Sequence, residues 1–402
     1  MVSRLEVENF YSIRQAQALD LGIADNVPAI TGRFGTVYPG SRERLPKVVA
    51  LFGPNASGKS TVLKALAFLA WFVQNSFQLP PEAPQPCESF NDAEAAAMPT
   101  RLAIHFGGPA NLLEPTEEEC GKYAYEVVFR NEGGKPKAVV SESLRQWPIG
   151  GGKTVRFFER DAEGEVRIGK GFGLTGYKQV LSKVRANSSL IATLAQFDHG
   201  PSRFLQRLAA SIVSNIFVEK VDFLEQNVLR LYAEKPALLE ALNREIERID
   251  LGIKNMRVDM GSGGPVARFE HEGLASPMPI QLESHGTRQF IRIFPLLIQT
   301  LATGGVAVID ELDLAIHPVV LPEILRWFYD PVRNPHDAQL WMSCHNASLL
   351  DDLVKEEVYF CEKDARGRTR VYGLQDIQSV RRNDNYYQKY LGGVYGAVPQ
   401  LG

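Results

Sequence analysis

The stretch that decides the fold is Gly53-Pro54-Asn55-Ala56-Ser57-Gly58-Lys59-Ser60. It matches the pattern GxxxxGK[ST], which binds phosphate when it joins a β-strand to an α-helix. Both flanks fit this context, because the apolar run at residues 47–52 predicts a buried strand and residues 61–74 have the apolar spacing of a helix. The sequence therefore predicts a phosphate-binding loop (P-loop) and a nucleotide ligand.

Each part of this loop has an expected role. Glycines allow backbone N–H groups to curl around phosphate oxygens, and the N-terminus of the following helix adds positive potential. Lys59 would reach the β- and γ-phosphates, and the Ser60 hydroxyl would be a ligand of Mg²⁺, a cation that prefers oxygen. The residues expected to contact the nucleotide here are Gly53, Asn55, Ala56, Ser57, Gly58, Lys59, Ser60 and Thr61.

A second motif is the apolar run at residues 305–309, which ends in Asp310 and Glu311. Taken alone, acids that follow a strand are usually solvated turn residues. In a parallel sheet, however, ligand sites gather at the carboxyl ends of strands, so both acids would lie beside the phosphates. We expect Asp310 to hold the Mg²⁺ ion and Glu311 to orient or deprotonate the attacking water.

A third predicted strand, at residues 339–343, is followed closely by His345 and Asn346. His345 would hydrogen-bond the γ-phosphate or the attacking water, although a lone His-Asn pair at a strand end is usually a capping turn.

A fourth motif, Glu283-Ser284-His285-Gly286-Thr287-Arg288-Gln289, precedes a predicted helix. It is either a second anion site, with Ser284 and Gly286 as ligands, or an ordinary helix start capped by Ser284 or Thr287.

The composition of the chain gives no indication of a nucleic-acid-binding or a membrane protein. The 402 residues carry 44 Lys+Arg and 47 Asp+Glu, a net charge of −3, which gives no general attraction to nucleic acid. Because no apolar run reaches membrane-spanning length and the N-terminus lacks a secretory signal, we expect a cytoplasmic protein with no membrane partner.

The remaining periodicity indicates an α/β fold. Residues 101–167 predict an antiparallel sheet, residues 176–251 are helical in pattern, and the C-terminal third alternates helix and strand. The proline-rich segment 79–100 predicts a mobile loop. We expect a mixed sheet with an inserted β-then-helical lobe and no long coiled coil, divided into residues 1–100, 101–280 and 281–402.

The order of the four motifs resembles the ABC-type ATPase heads shared by SMC-like repair proteins, RecF and the OLD family. A closer resemblance, to bacterial AAA-family abortive-infection ATPases of the Rlo, Septu and PARIS types, rests on three segments. These are the P-loop, Asp310-Glu311-Leu312-Asp313 with His317-Pro318, and the tail Tyr390-Leu391 to Tyr395-Gly396-Ala397-Val398-Pro399.

The resemblance implies an ATPase that uses ATP and Mg²⁺, with Lys59, Glu311 and His345 catalytic. It also implies a head-to-tail homodimer, or a higher oligomer, in which Ser284 and Gly286 complete the partner's ATP site. Such heads usually have a glutamine near Mg²⁺, which the sequence leaves open among Gln74, Gln78 and Gln85. His285 departs from the small or polar residue often found inside the signature.

The leading hypothesis is a sensor and scaffold subunit of an antiviral abortive-infection system. It would control a separate toxin or nuclease subunit and respond to a phage trigger protein. Too few residues follow His345 for the Toprim nuclease of OLD proteins, so no intrinsic nuclease is expected. A transporter ATPase ranks last.

The alternative is a RecF-like repair ATPase that binds DNA. The modest candidates for its basic surface are Arg203, Arg207, Arg381 and Arg382.

Overall fold

The computed structural model of the chain describes residues 1–116, 118–147, 152–216, 225–249, 252–314, 316 and 318–399. Its helices are α1 (Lys59–Asn75), α2 (Lys178–Leu181), α3 (Leu190–Ala195), α4 (Gly200–Ala210), α5 (Glu225–Glu234), α6 (Pro236–Ile249), α7 (His285–Thr303), α8 (Val320–Tyr329) and α9 (Tyr386–Leu391). Short 3₁₀ turns lie at Ser76–Gln78, Lys170–Phe172, Ile280–Leu282, Ala347–Asp352, Lys355–Glu357 and Leu374–Asp376.

The strands of the first half are β1 (Val2–Glu8), β2 (Gln17–Asp20), β3 (Phe34–Thr36), β4 (Arg44–Pro46), β5 (Val48–Phe52), β6 (Thr100–Pro109), β7 (Cys120–Glu132), β8 (Lys135–Trp147), β9 (Val155–Arg160) and β10 (Val166–Ile168). Those of the second half are β11 (Ile212–Ser214), β12 (Ile253–Gly261), β13 (Gly264–His271), β14 (Met278–Pro279), β15 (Val306–Ile309), β16 (Gln339–Ser343), β17 (Val358–Lys363) and β18 (Thr369–Gly373).

The central sheet has six strands in the order β11-β15-β16-β5-β17-β18. The first five are parallel, and β18 returns antiparallel to β17. Successive side chains of β5 face opposite sides, so that Val49 and Leu51 join one core while Ala50 and Phe52 join the other. Because both faces are covered, the strand is a continuous apolar run, as expected for a buried parallel sheet.

A seven-stranded antiparallel sheet, in the order β10-β9-β8-β7-β6-β1-β2, shares the first core with the central sheet. The apolar side chains of α1 belong to this core as well. Phe72 of α1 meets Phe129 of β7 edge to face, with ring centroids 5.0 Å apart. The P-loop helix is therefore anchored against the antiparallel sheet by aromatic packing.

The opposite face of the central sheet is covered by α7 and α8. Helices α5 and α6 pack against the small sheet β12-β13-β14 and contribute to the same core. In the parts of the chain that the structure describes, α7 is the longest helix at 19 residues, so no coiled-coil arm is present there. Within those same parts, no helix is both long and apolar enough to cross a membrane.

Hydrogen bonding crosses both boundaries of the expected three-part division. Strand β1 pairs with β6, which joins residues 1–100 to the lobe. Strand β11, from the lobe, pairs with β15 at the edge of the central sheet. The division itself stays a prediction.

The proline-rich segment forms neither helix nor strand between residues 79 and 99, as its composition predicts. It is nevertheless anchored at several points. The Asn9 side chain donates to the carbonyls of Ala95 at 2.7 Å and Met98 at 2.9 Å, and Arg14 pairs with Asp92 at 2.7 Å. These contacts hold the segment against the turn that follows β1.

A buried ion pair fixes the start of β17, the strand beside the P-loop strand. Arg33 donates to Glu357 at 2.6 Å and lies over the Tyr329 ring, 4.4 Å from its centroid. The Glu357 side chain is 0% exposed, and burial raises the pKa of its carboxyl from 4.5 to about 7, with Arg33 acting in the opposite direction. Removing the arginine would leave this carboxylate without a cation.

We expect Arg33→Ala to lower the free energy of unfolding by about 3 to 5 kcal/mol at pH 8, because it leaves a buried charge unpaired. The loss should be smaller at pH 6. The folded protein keeps a proton on Glu357 up to about pH 7, whereas the unfolded chain releases it near 4.5, so this group favours folding less as pH rises.

Urea unfolding at both pH values measures this difference. Arg33→Ala combined with Glu357→Gln is the matched control and should recover much of the loss at pH 8. Equal losses at the two pH values would contradict the assignment.

Candidate nucleotide-binding site

The P-loop follows β5 and curls through left-handed backbone conformations. Gly58 has φ +106°, and a Cβ there would lie 2.2 Å from Thr369 Oγ1. A Cβ on Gly53, at φ +146°, would lie 2.2 Å from the Cys361 carbonyl oxygen. Both positions therefore require glycine, because the backbone conformation and the close neighbours leave no space for a side chain.

The Lys59 side chain lies inside the loop. Its ammonium donates to the carbonyl oxygens of Gly53 at 2.8 Å and Pro54 at 3.0 Å. Burial lowers its pKa, while the negative charges of Asp310 and Glu311, among others, act in the opposite direction. The two carbonyls are neutral acceptors, which phosphate oxygens can replace with stronger charge-assisted bonds.

Ser343 holds both predicted acids. Its hydroxyl donates to Asp310 Oδ1 at 2.5 Å and accepts from the Glu311 N–H at 2.7 Å. The next residue, Leu312, donates its N–H to the Ser343 carbonyl at 3.1 Å. These bonds fix Glu311, whose φ of +52° is unusual for a residue with a side chain.

Asn215, just beyond β11, holds the Asp310 backbone from the other side. Its side chain accepts from the Asp310 N–H at 2.8 Å and donates to the Asp310 carbonyl at 3.0 Å. Asn215 was not predicted from the sequence, because a lone asparagine after a three-residue strand has no recognisable pattern. The two side chains, Asn215 and Ser343, therefore position the acids from neighbouring strands.

His345 lies beside Glu311, with 3.7 Å between Nε2 and Oε1. The side chains are 38% and 47% exposed, so both face the open cleft. Asp313 fixes the backbone of this segment, since its carboxylate accepts from the N–H groups of His345 at 2.8 Å and Asn346 at 2.6 Å. His317, the other histidine in the resemblance, lies outside the described residues.

The donor set suits Mg²⁺. Ser60 offers a hydroxyl oxygen and Asp310 a carboxylate, which are the hard oxygen ligands that this cation takes, with water and phosphate completing its shell. Ser343 binds Asp310 through Oδ1, which leaves the second carboxylate oxygen, Oδ2, for the cation. When bound, Mg²⁺ would neutralise phosphate charge at this point.

A cleft of about 1100 Å³ lies at the carboxyl edge of the central sheet, and Asp310 and Gly53 are not among the residues that line it. P-loop residues, Glu311 and His345 line this cleft, and the rest of its wall comes from segments that were not predicted to belong to the site. The residues of that wall are Tyr11, Ser12, Glu88, Ser89, Phe90, Asn91, Ala96, Gly133, Gly134 and Lys363.

None of the three glutamines left open by the sequence lines this cleft. Gln74 and Gln78 lie at the far end of α1, where they line a separate groove, and Gln85 is buried with its amide donating to the Asn187 carbonyl at 2.9 Å. A side-chain amide that does line the cleft belongs to Asn91, which is exposed.

Ser284 and Gly286 lie at the start of α7 and do not line the cleft of their own chain. The Ser284 hydroxyl accepts from the Thr287 N–H at 3.0 Å, which is the helix cap considered as an alternative. Ser284 and His285 are exposed. A contact with a nucleotide on a second copy stays a prediction.

Two of the four arginines considered for a DNA surface have acidic partners. Arg203 pairs with Asp198 at 3.0 Å, and Arg382 pairs with the buried Glu356. Their positive charge is partly offset within the chain, which weakens the DNA alternative.

Residues 48–351 match the family described as "AAA domain, putative AbiEii toxin, Type IV TA system". The match spans more than half of the chain, so the protein belongs to this family. No curated protein sequence matches the chain.

Three solved structures are similar over most of the chain. An SMC head domain from Thermotoga maritima is 14% identical, with a TM-score of 0.39, and the alignment covers 92% of this chain and 98% of that one. An SmcHead bound to the "C-winged helix domain of ScpA" is 12% identical, with a TM-score of 0.43, and the alignment covers 92% of this chain and 97% of that one. An Smc head with an extended coiled coil, bound to the C-terminal domain of ScpA derived from Pyrococcus furiosus, is 11% identical, with a TM-score of 0.43. The alignment covers 92% of this chain and 96% of that one.

The matched family is an AAA domain, and the P-loop at residues 53–60 lies within the matched part of the chain. The predicted fold class is confirmed, with a mixed sheet and, in the described residues, no long coiled coil. One strand, β16, lies between the P-loop strand β5 and the strand β15 that carries the acids. This order brings His345 between the loop and the acids.

We expect Ser343→Ala to lower kcat for ATP hydrolysis by about 10- to 100-fold, since small displacements of reacting groups have effects of that size. The variant loses the hydroxyl that holds Asp310 and the Glu311 backbone. Steady-state phosphate release measures kcat, and a melting curve checks that the protein is folded. Ser348→Ala is the control, because Ser348 is exposed and contacts Asn346 instead of the acids. A folded Ser343→Ala protein with wild-type kcat would show that the acids do not depend on this hydroxyl.

Proposed function

We propose that this protein is the ATP-hydrolysing sensor and scaffold subunit of an antiviral abortive-infection system, and that it controls a separate toxin or nuclease. The observation that carries the catalytic part is the grouping of Lys59, Glu311 and His345 around one cleft. These are a cation for phosphate, a carboxylate for the attacking water and a hydrogen-bonding imidazole.

The chemistry is assigned to these side chains. Lys59 exchanges its two carbonyl acceptors for the β- and γ-phosphate oxygens of ATP. The Glu311 carboxylate accepts a proton from the water that attacks the γ-phosphate, and His345 hydrogen-bonds that phosphate. Because Ser343 and Asp313 already fix the backbone at both residues, little reorganisation is needed when ATP binds.

A second copy of the chain would close the cleft. Glu311 and His345 are partly exposed, and Leu314, which also lines the cleft, is 47% exposed. Catalytic groups act most strongly where water is excluded, so this open side needs a cover. In a head-to-tail dimer, Ser284 and Gly286 of the other subunit would supply it, and ATP hydrolysis would reopen the dimer.

The defence role rests on the family to which the chain belongs. Its description names an AbiEii toxin and a type IV TA system. An ATPase whose dimer opens and closes with its nucleotide is suited to hold or release an effector, because a ligand that favours one state shifts the whole assembly. A phage protein would be the trigger that alters this equilibrium.

Glu311→Gln should retain ATP and lower kcat by about 100-fold or more, because it removes the proton acceptor but keeps the shape of the side chain. The closed dimer should then accumulate. Size-exclusion chromatography with light scattering, with and without ATP and Mg²⁺, measures the dimer.

Lys59→Ala is the matched variant for binding. It should weaken ATP binding by about 10- to 100-fold and remain monomeric under the same conditions. Wild-type turnover in Glu311→Gln would exclude Glu311 as the base, and a nucleotide-independent mass in all three proteins would exclude ATP-driven dimerisation.

Coexpression with the neighbouring genes tests the defence role. We expect the purified protein to carry an effector subunit whose retention differs between wild type and Glu311→Gln, as measured by mass spectrometry of the eluted complex. Lys59→Ala serves as the control for nucleotide dependence. A free dimer that binds DNA in an ATP-dependent and salt-sensitive way would instead support the repair alternative.

A further inference from the structure

A cluster of three hydroxyl groups, from Thr369, Ser12 and Thr61, lies next to the P-loop. Thr369 Oγ1 lies 2.9 Å from the Ser57 carbonyl oxygen and 2.8 Å from Ser12 Oγ. Ser12 Oγ is in turn 2.9 Å from Thr61 Oγ1. The Thr369 residue is 4% exposed and does not line the cleft, whereas Ser12 and Thr61 do. A backbone carbonyl can only accept, so the Ser57 carbonyl receives its hydrogen bond from the Thr369 hydroxyl.

Thr369 also packs directly on the loop. The space that a Gly58 side chain would fill is occupied by Thr369, with Oγ1 at 2.2 Å and Cγ2 at 2.6 Å from the ideal Cβ position. The Thr369 backbone is itself anchored, since its N–H donates to the Ser12 carbonyl at 2.7 Å. The side chain therefore approaches the loop from a fixed position.

This contact sets the direction of one loop N–H group. In a planar trans peptide the C=O and the following N–H point in opposite directions. The Thr369 hydroxyl, which donates to the Ser57 carbonyl, therefore directs the Gly58 N–H away from Thr369. Gly58 lines the cleft and Thr369 does not, so the cleft is on the side of the loop that remains for this N–H. The Ser57 side chain gives no such support, because its buried hydroxyl has no hydrogen-bond partner in the described residues.

We propose that Thr369 is a positioning residue for the phosphate group of the nucleotide, acting through the Gly58 N–H. This inference rests on the nucleotide function proposed above and adds a residue that lies outside the P-loop motif. Thr369 begins β18, in the hairpin that also brings the Cys361 carbonyl against Gly53. The hairpin thus shapes the P-loop at both of its glycines.

The test compares Thr369→Val, which keeps the shape but loses the hydroxyl, with Thr369→Ser, which keeps the hydroxyl. Thr369→Val should weaken ATP and ADP binding by about 10-fold, the effect expected for one hydrogen bond to a charged group. Adenosine, which has no phosphate, should bind as it does to the wild type. Thr369→Ser should restore ATP binding to within about 3-fold.

Steady-state kinetics of ATP hydrolysis provide a second test of the role of Thr369. Because the N–H contact is present in both the ground state and the transition state, KM should rise while kcat stays within about 2-fold. If Thr369→Val does not fold, Thr369→Ala replaces it in the same comparison.

The outcomes separate the two proposals. Wild-type ATP affinity in a folded Thr369→Val protein would overturn the role of Thr369 and leave the ATPase function intact. An equal loss of adenosine binding would also overturn it, because it would indicate a general distortion of the cleft. Failure of the wild type itself to bind ATP would overturn the proposed function.

Discussion

The parallel pairing of four neighbouring strands is the constraint on which the whole site depends. The hydrogen-bond register places Ile309 opposite Met342, Ser343 opposite Leu51, and Phe360 opposite Phe52. The strands consequently end at nearly the same level, and the loops that leave them meet at one edge of the sheet. A shift of a single residue in any pair would turn its side chains to the other core and move one part of the site away from the rest.

Short polar side chains fix the backbone of the loops that meet at this edge. Ser343 and Asn215 bind the backbone around Asp310 and Glu311, and Asp313 binds the backbone at His345. Such groups are costly to bury without partners, but here each one satisfies a backbone group that would otherwise be unpaired. They also stabilise Glu311 at φ +52°, a conformation that the chain would not adopt without support.

The sequence was sufficient to predict the parts of the site that are local in the chain. The P-loop, the strand before Asp310 and the strand before His345 have patterns within about ten residues, and the structure has β5, β15 and β16 at these positions. The parts that depend on distant contacts were not predictable. Asn215 binds the backbone of a residue 95 positions away, and Asn9 accepts a hydrogen bond from the segment next to Asn91. Neither contact produces a recognisable pattern in the sequence around these residues.

The bond between Thr369 and Ser57 joins residues 312 positions apart, and the bond to Ser12 spans 357. The chain is synthesised from its N-terminus, so the P-loop leaves the ribosome long before the β17–β18 hairpin that contacts it. Until that hairpin is made, the loop lacks the contacts at both of its glycines, and the closing of such a long loop is slow. The contact between Thr369 and the P-loop can therefore form only after synthesis has passed Thr369, and a nascent chain that ends before this residue lacks it.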